Sequence, residues 1–463
     1  MVNELQQITD RVVKVEAAPA DERRVTSRGG LSLAQGVARR LRLISDARRH
    51  LPARKDPSQG FETSAVAVSL IHGLLSGGRG WQATEAMRGD GPLLRLLGLK
   101  RAPSAETVEE VVKYLARERG GIAAVAPVLR RQVSRCLDAV SRERLAMAGG
   151  FVPVWVDGSH LEVEGRRFDS IKVIDGKRGQ MCSGAFVGPW LAGIDFARGR
   201  EGEETVSRRV LDDMVTATLR PKRLMKRALI LLDSLYGDGP TLDHLEGYRE
   251  SPAYIVGAGN LKRAFDQMNE TPEWLWIDTG SQLTRGWSES GVTTMTIQCE
   301  DWRRKRRLVC RRWKKEGEMI WNFSAVLTNL SRDDARVREL MARWGVCFEE
   351  VIWRLYGHKA GMENQWKELL TDLGLHHPPC AQAAVNATFY AFGALAYNLS
   401  LATREFTLQG PARRMRLWRF RQEVIAVASQ AVSHGRQVVA RLVDARDHLI
   451  EQLLAAMGRV ARQ

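Results

Sequence analysis

Cysteine is scarce and scattered in this 463-residue chain. Its six cysteines (Cys136, Cys182, Cys299, Cys310, Cys347 and Cys380) include no C-x-x-C pair and no Cys/His grouping of zinc spacing. That excludes a disulfide framework and a structural zinc site as organising devices and leaves the thiols as reduced core residues. Long hydrophobic runs are missing too: no stretch of eighteen uncharged apolar residues occurs, and the charged opening, Met1 to Ala17, lacks the apolar centre of a signal peptide. The expectation is a soluble, cytoplasmic protein with no membrane partner. Acidic residues are the minority charge, 54 Asp and Glu against 70 Lys and Arg, for a formal net charge of +16. Such an excess favours a polyanionic partner, nucleic acid first, because Lys and Arg that neutralise phosphates release condensed counterions. No internal repeat is visible. With 44% hydrophobic residues the chain is not disordered, and its length predicts a large core carrying one or two appended modules.

The pattern divides the chain. Residues 1–30 read as a polar arm. Residues 31–147 carry apolar residues at helical spacing over 36–49, 64–76, 83–87, 93–97, 107–117 and 122–140, with Pro103-Ser104 marking a capped helix start. This helical module reads either as a packing cap or as a DNA-binding module that recognises DNA ends. Arg39, Arg40, Arg42, Lys100 and Arg101 are its candidate contacts, and a chain beginning near Gly149 is expected to keep the catalytic fold while losing end discrimination.

From Phe151 short β-branched runs replace helices. Strands are predicted over 152–156, 161–163, 170–174, 185–187 and 191–196, a helix over 203–219, a buried strand over 228–232, a helix over 240–249 and a buried strand over 253–256. This order, β-β-β-α-β-α-β, is that of a ribonuclease H-like domain: α/β, a mixed sheet flanked by helices. Its first part is placed at 148–272 and its second, helical part at 331–405. Between them, 273–330 reads as a β-rich insertion folded against the main sheet. Residues 406–463 read as a basic helical segment with a long amphipathic helix from about 422 to 460.

Two carboxylates sit where the chemistry of phosphodiesters would want them. Asp157 and Asp233 follow predicted neighbouring strands and would project at one end of the sheet, and Glu363 would come from a helix crossing that end. An Asp at a strand end is ordinarily a turn or helix cap, and a helical Glu is ordinarily a solvated face residue. The neighbouring residues change this. The segments 154–159 (VWVDGS), 231–236 (LLDSLY) and 356–369 (YGHKAGMENQWKEL) resemble the three signature regions of bacterial insertion-sequence DDE transposases with a β-rich insertion between the second Asp and the Glu. The resemblance covers roughly residues 30–405.

It implies that Asp157, Asp233 and Glu363 are catalytic metal ligands for two Mg²⁺ ions, for which Mn²⁺ can substitute. It further implies that Tyr356, Lys359 and Lys367 hold DNA near the cut. The implied activity is cleavage at terminal inverted repeats and joining of the 3′-OH ends to target DNA by a homodimer associated with the nucleoid. The chain departs from the family pattern at Lys359, where Arg is usual, at Ala360, where Gly is frequent, and at Leu370, where Lys is usual. Lys keeps the charge of Arg and loses its bidentate fork. Glu363 and Lys367, at i and i+4, would share a helix face. In the insertion, Arg303, Arg304, Lys305, Arg306, Arg307, Arg311 and Arg312 suit a strand pair tracking a DNA backbone, and Trp302 and Trp313 are candidates for base stacking. Alternatives are a ribonuclease H-like nuclease or resolvase that cuts without joining, and a catalytically inactive DNA-binding relative.

Overall fold

The computed structural model describes residues 25–444 except 54–59, 166, 259–261, 280–285, 300–301 and 435–436. Its strands are β1 (Val25–Thr26), β2 (Val152–Glu162), β3 (Ile171–Ile174), β4 (Lys177–Val187), β5 (Trp190–Phe196), β6 (Ala228–Leu232), β7 (Ala253–Gly257), β8 (Ile277–Asp278), β9 (Glu289–Ile297), β10 (Arg306–Lys314), β11 (Asn322–Thr328), β12 (Ala428–His434) and β13 (Gln437–Asp444). β6 and β7 contain no charged residue and are buried throughout, as strands covered on both faces must be. They lie parallel to each other and to β2. Around this parallel centre a ten-stranded mixed sheet runs in the order β3-β4-β2-β6-β7-β11-β10-β9-β8, with β5 paired to β4.

Two strands are longer than their local pattern predicts. β2 does not stop before Asp157; it continues to Glu162 because β4 pairs with it from Val154 through Glu162. β4 itself begins eight residues before the predicted strand, its Gly179, Ser183 and Gly184 masking the alternation. The insertion also joins differently. β9, β10 and β11 form antiparallel pairs, and β11 pairs with β7, so the insertion prolongs the main sheet edge to edge instead of packing on its face.

Helices flank the sheet. Glu203–Met214 packs on β2, β4 and β5, and Ala383–Thr407 packs on β5. The latter helix is apolar on nearly every side and almost wholly buried, which a helix achieves only when it is surrounded. What surrounds it comes largely from the N-terminal helices Leu31–Arg40, Thr63–Leu75, Ala105–Glu118 and Ile122–Ala139. Gln132 donates to the Leu395 carbonyl at 3.0 Å, and the Trp81 ring meets Phe389 edge-on at 5.0 Å. Asn398 ties the same helix to β5 by accepting from the Leu191 N–H and donating to the Leu191 carbonyl. The N-terminal helices therefore share one core with the sheet. The helix predicted over 36–49 is broken at Leu41–Arg42, where Arg42 takes φ 53°.

At the other end, the helix predicted from 422 is not formed across 428–444. β12 and β13 make an antiparallel hairpin, and β1 completes a three-stranded sheet with β12. The run Val438-Val439-Ala440-Arg441-Leu442-Val443 fits either period. The β1 partner and the helix Gly91–Leu97 packed against both strands decide for extended backbone. Of the predicted helix, among the described residues, only its start is helical, in the turn Arg421–Ile425; its part beyond residue 444, and most of the polar arm, lie outside the described residues. Among the described residues no helix is long and apolar enough to cross a membrane.

Candidate active site

The parallel pairing of β2 with β6 ends at Trp155 and Leu231. Asp157 and Asp233 each follow two residues later, and since strand side chains alternate with period two, both project on the same side at the same end. The backbone around them is tightly held. The Ser234 N–H donates to Asp233 Oδ1 at 2.6 Å, opening a one-turn 3₁₀ helix at Ser234–Tyr236. The Gly158 N–H donates to Asp157 Oδ1 at 3.0 Å. At the end of β7, Gly257 leaves room for this turn: a Cβ there would stand 2.7 Å from the Ser234 nitrogen and 2.8 Å from the Tyr356 hydroxyl.

The third predicted region arrives as two helices. Tyr356 closes Phe348–Gly357, and its hydroxyl donates to the Leu232 carbonyl at 3.3 Å, directly behind Asp233. Lys359 then places its ammonium 3.3 Å from Asp233 Oδ2 and 3.8 Å from Asp157 Oδ2. Sequence alone gives Lys359 a phosphate to hold; in the structure it is the shared counter-ion of both aspartates. Glu363 stands one turn along Ala360–Lys367, exposed, and Lys367 a further turn on, also exposed. Trp366 anchors this helix across the sheet end, its ring 5.8 Å from Phe186 and against Gly184, the residue that pairs with Asp157. Helical spacing places Glu363 on the same side as Lys359, but no described contact joins it to either aspartate.

A further acid lies beside the pair. Glu203, first residue of Glu203–Met214, accepts a hydrogen bond from the Tyr236 hydroxyl at 2.9 Å, and a Cβ on Gly158 would come 2.4 Å from its carboxyl carbon. Sequence reading missed it because two glutamates in the first turn of a helix are what the helix dipole ordinarily favours. The only local signal is the glycine that follows Asp157.

Burial sets the electrostatics. It pushes Asp157 up to about 6, with Lys359 pulling down and Asp233 and Glu203 pushing further up. Burial also raises Glu203 against the hydrogen bonds from Tyr236 and Gly158. For Asp233 burial is outweighed by the Ser234 N–H and Lys359, which hold it below its ordinary value. Asp157 thus keeps its proton in the folded protein up to about pH 6, while the unfolded chain releases it near pH ~3.9. The native state binds more protons in that window, so this group's contribution to stability falls as pH rises through it, by at most about 3 kcal/mol. In EDTA, Asp157→Asn should therefore melt increasingly above the wild type as pH is raised from about 4 to about 6. A constant difference in Tm would refute the shift.

The donor set suits a hard divalent cation: two carboxylates already converge on one positive group, the ammonium of Lys359, and oxygen ligands are what Mg²⁺ prefers. No three His, Cys, Asp or Glu side chains among the described residues are placed to hold one ion together, so a third protein ligand would have to move in.

The basic insertion is less free than its sequence suggests. Arg306 is 4% exposed and paired with Asp243 and Glu246, Arg312 is paired with Glu273, and Arg304 reaches Glu246. Arg307 donates to the Leu330 carbonyl. Arg303 is exposed, with a 3.3 Å contact to Asp243, and Lys305 is exposed. Arg311 has no ion-pair partner among the described residues; it stacks 4.0 Å over Trp353, with Trp287 and Trp313 each 5.3 Å away. Trp313 stacks on Trp287 at 4.9 Å, whereas Trp302 is buried beside Arg306.

A mixed α/β sheet that sets two aspartates just beyond the end of a parallel strand pairing, with a lysine between them, is a carboxylate-centred site on an α/β domain. The chain belongs to the DDE transposases: the family model described as "Transposase DDE domain group 1" matches residues 197–461, more than half of the chain. Asp233 and Glu363 lie within the match, and Asp157 precedes it. Comparison with curated proteins gives no match. Among solved structures, the cryo-EM structure of a piggyBac transposase synaptic complex with hairpin DNA is similar at 12% identity, over 89% of this chain and 83% of that one, with a TM-score of 0.35. That likeness is too distant to carry over residues or activity.

Proposed function

We propose that the protein is the transposase of a bacterial insertion sequence, binding terminal inverted repeats as a homodimer, cleaving there and joining the 3′-OH ends to target DNA. The observation that carries this reading is the convergence of Asp157 and Asp233 on the ammonium of Lys359 at one end of a parallel strand pair, in a chain of the DDE transposase family. The β2-β6-β7 centre with its antiparallel flank supports a ribonuclease H-like arrangement.

In this reading Asp157, Asp233 and Glu363 hold two Mg²⁺ ions, which when bound activate the attacking oxygen and stabilise the leaving one. Lys359 neutralises the aspartates until then. With the ions bound, the Lys359 ammonium would be free to hold a phosphate, and exposed Lys367, two turns further along the same segment, would extend that cationic face. Tyr356 braces the Asp233 turn through the Leu232 carbonyl. The site itself reads no bases, since coordination and phosphate contacts carry no sequence information. Arg39, Arg40, Arg42, Lys100 and Arg101 are all exposed and are proposed to contribute to end recognition.

The decisive assay incubates the protein and Mg²⁺ with a plasmid carrying the element's inverted repeats. Excised ends and joined products are expected; cleavage without joining would instead indicate a nuclease or resolvase. Within the insertion the outcome should split by burial. Neutralising exposed Arg303 and Lys305 should weaken binding to all sequences alike and flatten the slope of log affinity against log salt by about one unit for each phosphate no longer neutralised. Arg306→Ala should instead destabilise the fold by about 1–3 kcal/mol, because it removes the buried partner of Asp243 and Glu246 and leaves them, among the described residues, only Arg303, Arg304 and Tyr254. A salt slope unchanged in the first variant, or an unchanged Tm in the second, would contradict this division.

A further inference from the structure

Glu203 has no place in the reaction as proposed, yet the half-buried carboxylate ends a chain of hydrogen bonds that reaches both aspartate-bearing segments. Its carboxylate accepts from the Tyr236 hydroxyl at 2.9 Å; that hydroxyl meets Ser207 Oγ at 2.8 Å, and Ser207 Oγ meets Ser183 Oγ at 2.7 Å. Ser183 stands directly opposite Gly158 in the β2–β4 ladder, and Tyr236 ends the turn that begins at Asp233. Gly158 itself lies against the Glu203 carboxylate, so closely that any Cβ there would overlap it, at 2.4 Å. Ser183, Ser207 and Tyr236 are each no more than 2% exposed, so the three hydroxyls depend on one another and on Glu203, and a satisfied buried network of this kind favours a single geometry.

We propose that Glu203 is a positioning residue of the transposase centre: by bridging Tyr236 and the Gly158 segment it sets the separation of Asp157 and Asp233, and through them the site's affinity for a divalent cation. This rests on the reading of the two aspartates as metal ligands. It differs from a ligand role in that the acceptor oxygen matters and the negative charge does not. Partners that orient ligands in this way typically contribute about 10–100-fold to metal affinity.

The test is Mn²⁺ binding to the full-length protein, measured by calorimetry without DNA, for wild type, Glu203→Ala, Glu203→Gln and Tyr236→Phe. Glu203→Ala and Tyr236→Phe should each lose about 10-fold or more, and the two changes combined should lose little beyond either alone, since both break the same bridge. Glu203→Gln, whose amide oxygen can still accept from Tyr236, should bind within about threefold of the wild type and regain cleavage with it. Glu203→Ala binding within twofold of wild type would overturn the proposal. So would a Glu203→Gln as weak as Glu203→Ala, which would make Glu203 a charge contributed to the ion itself. Asp157→Asn and Asp233→Asn serve as controls: if both bind Mn²⁺ like wild type, the metal-ligand reading has failed, whatever Glu203 does.

Discussion

Replacing Asp157 or Asp233 with Asn should lower strand cleavage on the order of 10³-fold or more while leaving DNA binding nearly intact. The size follows from the task assigned to these carboxylates. Ion-mediated charge stabilisation supplies several kcal/mol in the transition state, and each ~1.4 kcal/mol is a factor of ten in rate. Binding should survive because affinity for DNA comes mostly from phosphate contacts spread over the surface. Asn keeps the shape of Asp and can still accept from the Ser234 or Gly158 N–H, so loss of fold is not the expected cause. Glu363→Gln carries the same expectation for a different reason. Glu363 is exposed and one turn from Lys359, so a large cleavage defect in a variant whose Tm is unchanged would place it in the centre during turnover. Cleavage by any of the three variants near the wild-type rate, measured on a plasmid carrying the inverted repeats, would remove that residue from the assignment.

The second large effect concerns the N-terminal helices. A chain starting near Gly149, expected from sequence to retain the catalytic fold, should instead fail to fold. Helix Ala383–Thr407 is buried along nearly its whole length, and four of the helices that cover it come from residues 31–139. Removing them would expose side chains such as Phe389 and leave Asn398 on a helix with one face bare. Each fully buried large apolar side chain contributes about 1.5–3 kcal/mol, so uncovering only five or so is comparable with the ~5–15 kcal/mol by which a folded protein is stable. Far-UV circular dichroism and a thermal melt of the truncated chain decide the point: a cooperative transition near the wild-type Tm would show that the sheet stands alone. Because truncation is expected to destroy the fold, end recognition by this region is better tested with point substitutions at exposed positions such as Arg42 and Lys100, reading preference for own ends over random duplex.

The place of the two aspartates at one end of the sheet was legible in the sequence because strand signals are local. A short uncharged run such as 228–232, closed by an acid and a turn, must be a covered strand whose end faces outward, and the structure keeps those bounds at Ala228–Leu232. The helix–strand alternation, the β-rich character of 273–330 and the return to helix over 331–405 were equally readable from periodicity. What the sequence could not specify is which surfaces meet. Lys359 reads as a basic residue facing DNA, and only the docking of its helix by Trp366 turns the ammonium onto both aspartates. Glu203 reads as a dipole-favoured helix start, and only the β2–β4 register brings it against Gly158. Likewise Arg306 and Arg312 look like phosphate-binding residues until Asp243, Glu246 and Glu273 arrive from other elements to pair with them. At the carboxyl end a pattern compatible with two periods became a hairpin because β1 offered an edge. Periodicity and turn chemistry act over a few residues and so determined most of the elements, and with them the end of the sheet where Asp157 and Asp233 stand. Pairing, burial and ion pairing join residues hundreds of positions apart, and only the tertiary structure could decide them.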